Sequence, residues 1–325
     1  MQPLLSFSDV CYSYHTLKGE IPAIRNITFS LQEQEFLALV GPSGCGKSTL
    51  LNLIAGLLEP DSGQFLYQGK PLSLCSFSTG YMLQKDHLLG WRTVLDNILL
   101  GPEIRGVSIA AARKEALKML EKYQLADYAN AFPDQLSGGM RQRVALIRTM
   151  INAPGLLLLD EPFSALDYQT RLDVGNDICQ IIRQEKKTAI LVTHDLSEAI
   201  SLADHILVLS KAPSHIAFDC PLKFGISDLT PLDKRSQPEF QTYFNILWRH
   251  LHETDGRFYG NITKATAISS KIYPPSPPSI SGKNPDPCTI PAAMGSDHTT
   301  SSGQQLYFQQ PFPDSFYMPV HDQKR

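Results

Sequence analysis

Gly41-Pro42-Ser43-Gly44-Cys45-Gly46-Lys47-Ser48 matches G-x-x-x-x-G-K-[ST] in full. Its glycines let consecutive backbone N–H groups turn toward an anion without a Cβ clash. The apolar, β-prone run Phe36-Leu37-Ala38-Leu39-Val40 precedes it, and Leu50-Leu51-Asn52-Leu53-Ile54-Ala55 continues it as a helix. Strand, glycine turn and helix in that order form the setting a phosphate-binding loop requires, because the helix points its positive end at the same anion. Lys47 is then placed to reach β- and γ-phosphates, and the Ser48 hydroxyl to ligate magnesium. A chance glycine turn beside a lysine is the alternative, and the flanking elements argue against it. Cys45 reads as a small filler and not as a redox group.

Downstream, Leu156-Leu157-Leu158-Leu159-Asp160-Glu161-Pro162 puts two acids at the carboxyl end of a buried strand. In a parallel sheet that edge is where ligands sit. Asp160 suits a hydrated magnesium ion, and Glu161 suits a general base acting on water. A further strand, Ala189-Ile190-Leu191-Val192, ends at Thr193-His194-Asp195, which makes His194 a candidate γ-phosphate contact. Near-continuous apolar runs of this kind belong to parallel strands covered by helices on both faces.

Residues 109–124 show helical periodicity through Ala111, Leu117 and Leu120, and a second helix is expected over 137–150. Leu136-Ser137-Gly138-Gly139-Met140-Arg141-Gln142-Arg143 opens that helix, with Ser137 as N-cap and two glycines freeing N–H groups for an anion. An ordinary cap after a loop is the plainer reading, yet a second anion cradle in one chain needs its own explanation. Before the phosphate loop, β-rich runs such as Ala23-Ile24-Arg25-Asn26-Ile27-Thr28-Phe29 point to an antiparallel layer.

The chain has 325 residues, a formal net charge of -3, 42% hydrophobic and 19% charged residues, which describes a globular protein with a core and no electrostatic footprint for a polyanion. The opening Met1-Gln2-Pro3-Leu4-Leu5 lacks a basic n-region and a long apolar run, so no secretory signal is expected. No stretch of about 18 apolar residues occurs, so membrane work would require docking onto another chain. Six scattered cysteines without a Cys-x-x-Cys pair read as reduced thiols. Residues 1–255 keep a globular composition, whereas 256–325 turn Pro- and Ser-rich, with Pro274-Pro275-Ser276-Pro277-Pro278, and are expected to be a largely unpacked tail. Phe308, Phe312, Phe316 and Tyr317 are the part of it that could dock.

Together these elements resemble the ATP-binding subunit of ABC transporters over about residues 4–250. The markers fall in the family's order: Walker A at 41–49, Gln84, the signature at 136–140, Walker B at 156–161, Ser164-Ala165-Leu166-Asp167, and His194. The resemblance implies an α/β fold: a P-loop NTPase core with a parallel sheet, an N-terminal antiparallel β layer and an inserted helical subdomain at about 86–155. It implies ATP and Mg2+ as ligands, with Gly41, Pro42, Ser43, Gly44, Cys45, Gly46, Lys47, Ser48 and Thr49 around the phosphates. Tyr14 would stack on adenine, with Tyr12 as the fallback. Ser48, Gln84 and Asp160 would serve the metal, while Gln84, Lys47, Glu161 and His194 would serve catalysis.

The resemblance also implies a second copy of the chain. Ser137, Gly138 and Gly139 of one subunit would cap the ATP of the other, and Asp167 would bridge the two. Met140 departs from the family's usual glutamine. Leu88-Leu89-Gly90-Trp91-Arg92-Thr93-Val94 looks like the Pro-Trp-Arg-Thr-Val element of nitrate, sulfonate and taurine importers, with Gly90 in place of proline. An ordinary core anchor is the alternative reading of Trp91. The implied partners are polytopic transmembrane permease subunits and, through them, an external substrate-binding protein, with the chain peripheral on the cytoplasmic face of the inner membrane. No nucleic acid is expected. The DNA-repair branch needs a heptad insertion between the Walker motifs, and the translation branch usually carries two complete halves.

Overall fold

The computed structural model describes residues 2–71, 78–226 and 229–255. β1 (Leu5–Thr16) and β2 (Gly19–Leu31) pair antiparallel, with Phe7 opposite Phe29 and Val10 opposite Ile27. β4 (Ser62–Tyr67) pairs with the other edge of β1, and β5 (Lys70–Pro71) completes a sheet of order β2-β1-β4-β5. Its inner face is aromatic: the Phe7 ring stacks on Phe29 and Phe65 at 4.8 and 4.3 Å between centroids.

The central sheet contains β3 (Phe36–Val40), β6 (Thr79–Met82), β7 (Leu156–Asp160), β8 (Thr188–Val192), β9 (His205–Leu209) and β10 (Ile216–Pro221). Their order is β10-β9-β3-β8-β7-β6, and every neighbouring pair is parallel except β9 with β10. The apolar runs are buried on both faces with the period of two that a strand imposes. Leu37, Leu39, Leu156 and Leu158 pack toward α1 (Lys47–Ile54) and the antiparallel sheet. Phe36, Ala38, Val40, Leu157 and Leu159 pack toward the other helices.

Between β6 and β7 lie α2 (Val94–Ile104), α3 (Ile109–Lys122) and α4 (Gly138–Met150). After β7 come α5 (Tyr168–Gln184), α6 (Leu196–Leu202), α7 (Pro231–Arg235) and α8 (Pro238–Asp255). The buried stripe of α3 is Ala112, Ala116 and Leu120, whereas Ala111 and Leu117 face outward. Of the three positions expected from the periodicity, only Leu120 lies on the buried face. Small alanines at i and i+4 carry the contact, and the larger Leu117 is 42% exposed.

The order β3-β8-β7-β6 decides where the chemistry goes. Parallel strands present all their carboxyl ends at one edge, so the segments leaving β3, β8, β7 and β6 meet there. Those segments carry the phosphate loop, His194, Asp160 with Glu161, and Gln84. No helix among the described residues is long and apolar enough to cross a membrane. Cys45, Cys179 and Cys220 are free and buried, while Cys11 is disulfide-bonded, which departs from the all-thiol expectation. The tail at 256–325 lies outside the described residues.

Candidate active site

Gly46 ends the phosphate loop as N-cap of α1 with φ 101°, a left-handed conformation that favours glycine. The turn directs the first N–H groups of α1 back into the loop. Lys47 is only 8% exposed, and its Nζ donates to the carbonyls of Gly41 (2.9 Å) and Pro42 (3.0 Å). The ammonium thus lies against the loop itself, beside the place an anion would take. Cys45 is buried, and a Cβ on Gly41 would stand 2.8 Å from its Sγ, as befits a residue that fills the loop's underside. Burial pushes its thiol pKa up, which disfavours a reactive thiolate.

On the outer side, the Tyr14 hydroxyl lies 3.0 Å from Thr49 Oγ1 in the first turn of α1. Its half-exposed ring meets Tyr12 edge-on at 5.1 Å. This bond fixes an aromatic face next to the phosphate loop, a geometry suited to stacking a base.

Asp160 closes the site from β7. Its carboxylate accepts hydrogen bonds from Ser48 and Tyr81. Burial raises its pKa above the ordinary carboxylate range; the Ser48 bond opposes this, the Glu161 charge adds to it, and Lys47 and Tyr81 oppose it. Tyr81 is itself pushed up to about 12, chiefly by burial and then by the Asp160 charge. A serine hydroxyl and a carboxylate in contact are hard oxygen donors, the set that Mg2+ takes alongside nucleotide phosphates. Ser48 and Asp160 fit that ion and would hold it, and a bound Mg2+ would neutralise charge on the phosphate oxygens.

Glu161 occupies the sharp turn after β7 with φ 45°, a sparsely populated backbone state for a residue bearing a side chain. The turn is held by Glu161 N donating to Val192 O (2.9 Å) and by Ser164 Oγ donating to Glu161 O (3.0 Å). It aims the carboxylate along the sheet edge. Oε2 accepts from Gln84 Nε2 at 3.3 Å and lies 3.3 Å from His194 Nδ1. Residues from three strand ends therefore converge on one carboxylate oxygen. His194 is 59% exposed at its side chain and Glu161 21%, so the pair opens to solvent where a substrate would enter.

Ser137 caps α4, accepting from Met140 N at 3.3 Å. A Cβ on Gly138 would stand 2.9 Å from the end of the Leu166 side chain, and one on Gly139 2.6 Å from Val174, so the tighter packing is at Gly139. No hydrogen bond or ion pair joins Ser137, Gly138 or Gly139 to the phosphate loop or to Glu161 among the described residues. The fold gathers Lys47, Ser48, Gln84, Asp160, Glu161 and His194 along one sheet edge, whereas Ser137 and Asp167 serve as helix caps. Asp167 caps α5 by accepting from Thr170 N at 3.0 Å, and the Thr170 hydroxyl first, then this backbone bond, hold its carboxyl below the usual range.

Sequence reading missed the ties between these parts. Arg141 Nε reaches Asp86 Oδ2 at 3.0 Å while its Nη1 donates to Leu136 O at 2.8 Å. Arg148 donates to the carbonyls of Asp86 (2.6 Å) and His87 (2.7 Å). Helix α4 thus grips the segment that follows Gln84. Asn97, fully buried, bonds Leu89 N (2.7 Å) and the carbonyls of Leu89, Arg92 and Thr93. That locked loop presents Trp91 at 77% exposure, which overturns the core-anchor alternative.

A family model described as ABC transporter matches residues 24–164. An uncharacterized ABC transporter ATP-binding protein, YtlC of Bacillus subtilis (strain 168), is 41% identical over 253 residues, covering 77% of this chain and 96% of that protein. The taurine import ATP-binding protein TauB of Yersinia pestis bv. Antiqua (strain Antiqua) is 42% identical over 204 residues, 63% of this chain and 80% of that protein. Among solved structures, the dimeric post-hydrolysis state of the ATP-binding cassette MJ0796 bound to ADP and Pi matches with a TM-score of 0.58 and 30% identity, covering 68% of this chain and 99% of that one. With the phosphate loop, the acidic strand end and the Gln84–Glu161–His194 cluster in place, the chain belongs to the ATP-binding proteins of ABC transporters and is an ATPase.

Proposed function

We propose that two copies of this chain face each other and hydrolyse Mg-ATP held between the phosphate loop of one and the signature of the other. The observation that carries this reading is the exposed helix cap at Ser137. Ser137 is exposed and points no side-chain bond at its own phosphate loop, yet α4 holds it rigidly at a helix N-terminus. Within each copy, Lys47 and the loop amides bind the phosphates, Ser48 and Asp160 hold the magnesium ion, and Glu161 takes the proton of the attacking water. Gln84 and His194 position that carboxylate. Asp167 lies near the subunit boundary, and Tyr14 stacks on the base.

ATP turnover in the pair drives import of a small molecule through separate transmembrane permease subunits, with an external binding protein selecting the cargo. The chain then sits on the cytoplasmic face of the membrane by way of the permease. Support comes from Trp91, a large aromatic exposed on a loop that a buried asparagine locks. The likeness to a taurine import protein supports a nitrate-, sulfonate- or taurine-type cargo.

The test is co-purification of the chain with its permease, wild type against Trp91→Glu. The variant is expected to lose the complex while its own ATP turnover stays unchanged. Full retention of the complex would exclude Trp91 from the contact.

A further inference from the structure

Away from the nucleotide site, α5, the end of α6, α7 and residues 222–226 line a half-open cavity of about 450 Å³. Its wall carries two cations, Arg183 on α5 and Lys234 on α7, against one carboxylate, Asp204. That carboxylate is already engaged. Its Oδ1 accepts from Arg183 Nη2 at 2.7 Å, and its Oδ2 accepts from Phe36 N at 3.0 Å.

Lys234 is 8% exposed, and its Nζ donates to Ala203 O at 3.0 Å and faces the Phe224 ring at 5.4 Å. It forms no ion pair with a carboxylate among the described residues. A buried ammonium with one carbonyl and one ring keeps spare N–H donors and an uncompensated charge. Burial and then the Arg183 charge hold its pKa below the ordinary lysine range, with Asp204 opposing. Much of the remaining wall is apolar: Leu222, Phe224, Ile226 and Leu229.

We propose that this cavity binds a small organic anion, its acidic head on Lys234 and Arg183 and its hydrocarbon body along Leu222, Phe224 and Ile226. The volume falls within the roughly 300–1,000 Å³ of small-molecule sites, which combine apolar walls with a few convergent polar groups. An inorganic anion would leave the apolar wall wet. An uncharged apolar guest would leave Lys234 uncompensated. Neither uses both halves of the cavity.

The test is calorimetric titration of the full chain, saturated with Mg-ADP so that the phosphate loop is filled. The probes are hexanoate, hexane-1-sulfonate, hexan-1-ol and inorganic sulfate. Both organic anions are expected to bind saturably and to weaken at least about tenfold in Lys234→Met. Hexanol and sulfate are expected to bind neither tightly nor competitively. Should Lys234→Met fail to fold, Ile226→Glu alters an exposed position of the wall and is expected to abolish binding by setting a carboxylate in the site. Equal affinity for hexanol, unchanged affinity in a folded variant, or no saturable binding of either anion up to about 10 mM overturns the proposal.

Discussion

Nδ1 of His194 stands 3.3 Å from Oε2 of Glu161, although the two residues leave different strands of the central sheet. The approach depends on the strained turn at Glu161, whose N–H is tied to Val192 O only two residues before the histidine. Gln84 reaches the same oxygen from β6. The base is therefore held by groups on both sides before any water is bound, and a shift of either neighbour changes its aim.

Replacing Glu161 by Gln keeps the shape of that turn and removes the proton acceptor. Steady-state phosphate release is expected to fall about 10²- to 10⁴-fold, the usual worth of a general base. ATP binding should remain, and the ATP-bound pair should accumulate on size exclusion. A variant that releases phosphate at the normal rate would remove Glu161 from this role.

Ser137 has two separable duties, capping α4 and facing a partner's nucleotide. Aspartate is as good an N-cap as serine, so Ser137→Asp should unfold at the wild-type denaturant midpoint. Its carboxylate would repel a γ-phosphate, and turnover is expected to vanish. Ser137→Ala, by contrast, should lose about 0.5–2 kcal/mol of stability. An active Ser137→Asp enzyme would reduce Ser137 to a helix cap.

The Arg141–Asp86 pair ties the signature helix to the segment after Gln84. Both side chains are partly exposed, so the pair itself adds little stability. Arg141→Ala is expected to leave the unfolding midpoint within error and to lower kcat by about tenfold with little change in KM, because the segment after Gln84 loses one of its two arginine ties to α4. A drop in stability with unchanged kcat would assign the arginine to folding alone.

Which parts were legible follows from how far apart the interacting residues lie in sequence. The phosphate loop and the Leu156–Asp160 strand are contiguous, so their chemistry and their buried, doubly covered faces could be read from residue order. The cap at Ser137 was equally local. Arg148 holds carbonyls at Asp86 and His87, 62 and 61 residues away, and a backbone acceptor leaves no mark in the sequence. Asn97 leaves no mark in the sequence either, because its partners are also main-chain groups. In α3 the eye follows Leu117, yet close packing against α2 and α4 selects the alanines.

His205 supplies a pH dependence. Burial alone would lower its pKa, but hydrogen bonds to Asp219 (2.6 Å) and Glu35 (3.1 Å), with their charges, raise it to about 9. A raised folded-state pKa gives stabilisation that is complete below the ordinary value of 6.5 and is lost as pH climbs through about 9. Across that window wild-type stability to guanidinium is expected to fall by about 1–2 kcal/mol more than that of His205→Gln, after allowance for solvent screening. Parallel profiles for the two proteins would show that the histidine is not charged in the fold.

Shared catalysis across two copies is tested most directly by mixing two inactive variants, Lys47→Ala and Ser137→Asp. A mixed pair contains one phosphate loop and one signature that are both intact, and these face each other. Mixing is expected to restore a substantial fraction of wild-type turnover, rising with total protein concentration as pairs form. A mixture as inactive as its parts, alongside a wild-type specific rate that does not change on dilution, would contradict a site built from two chains.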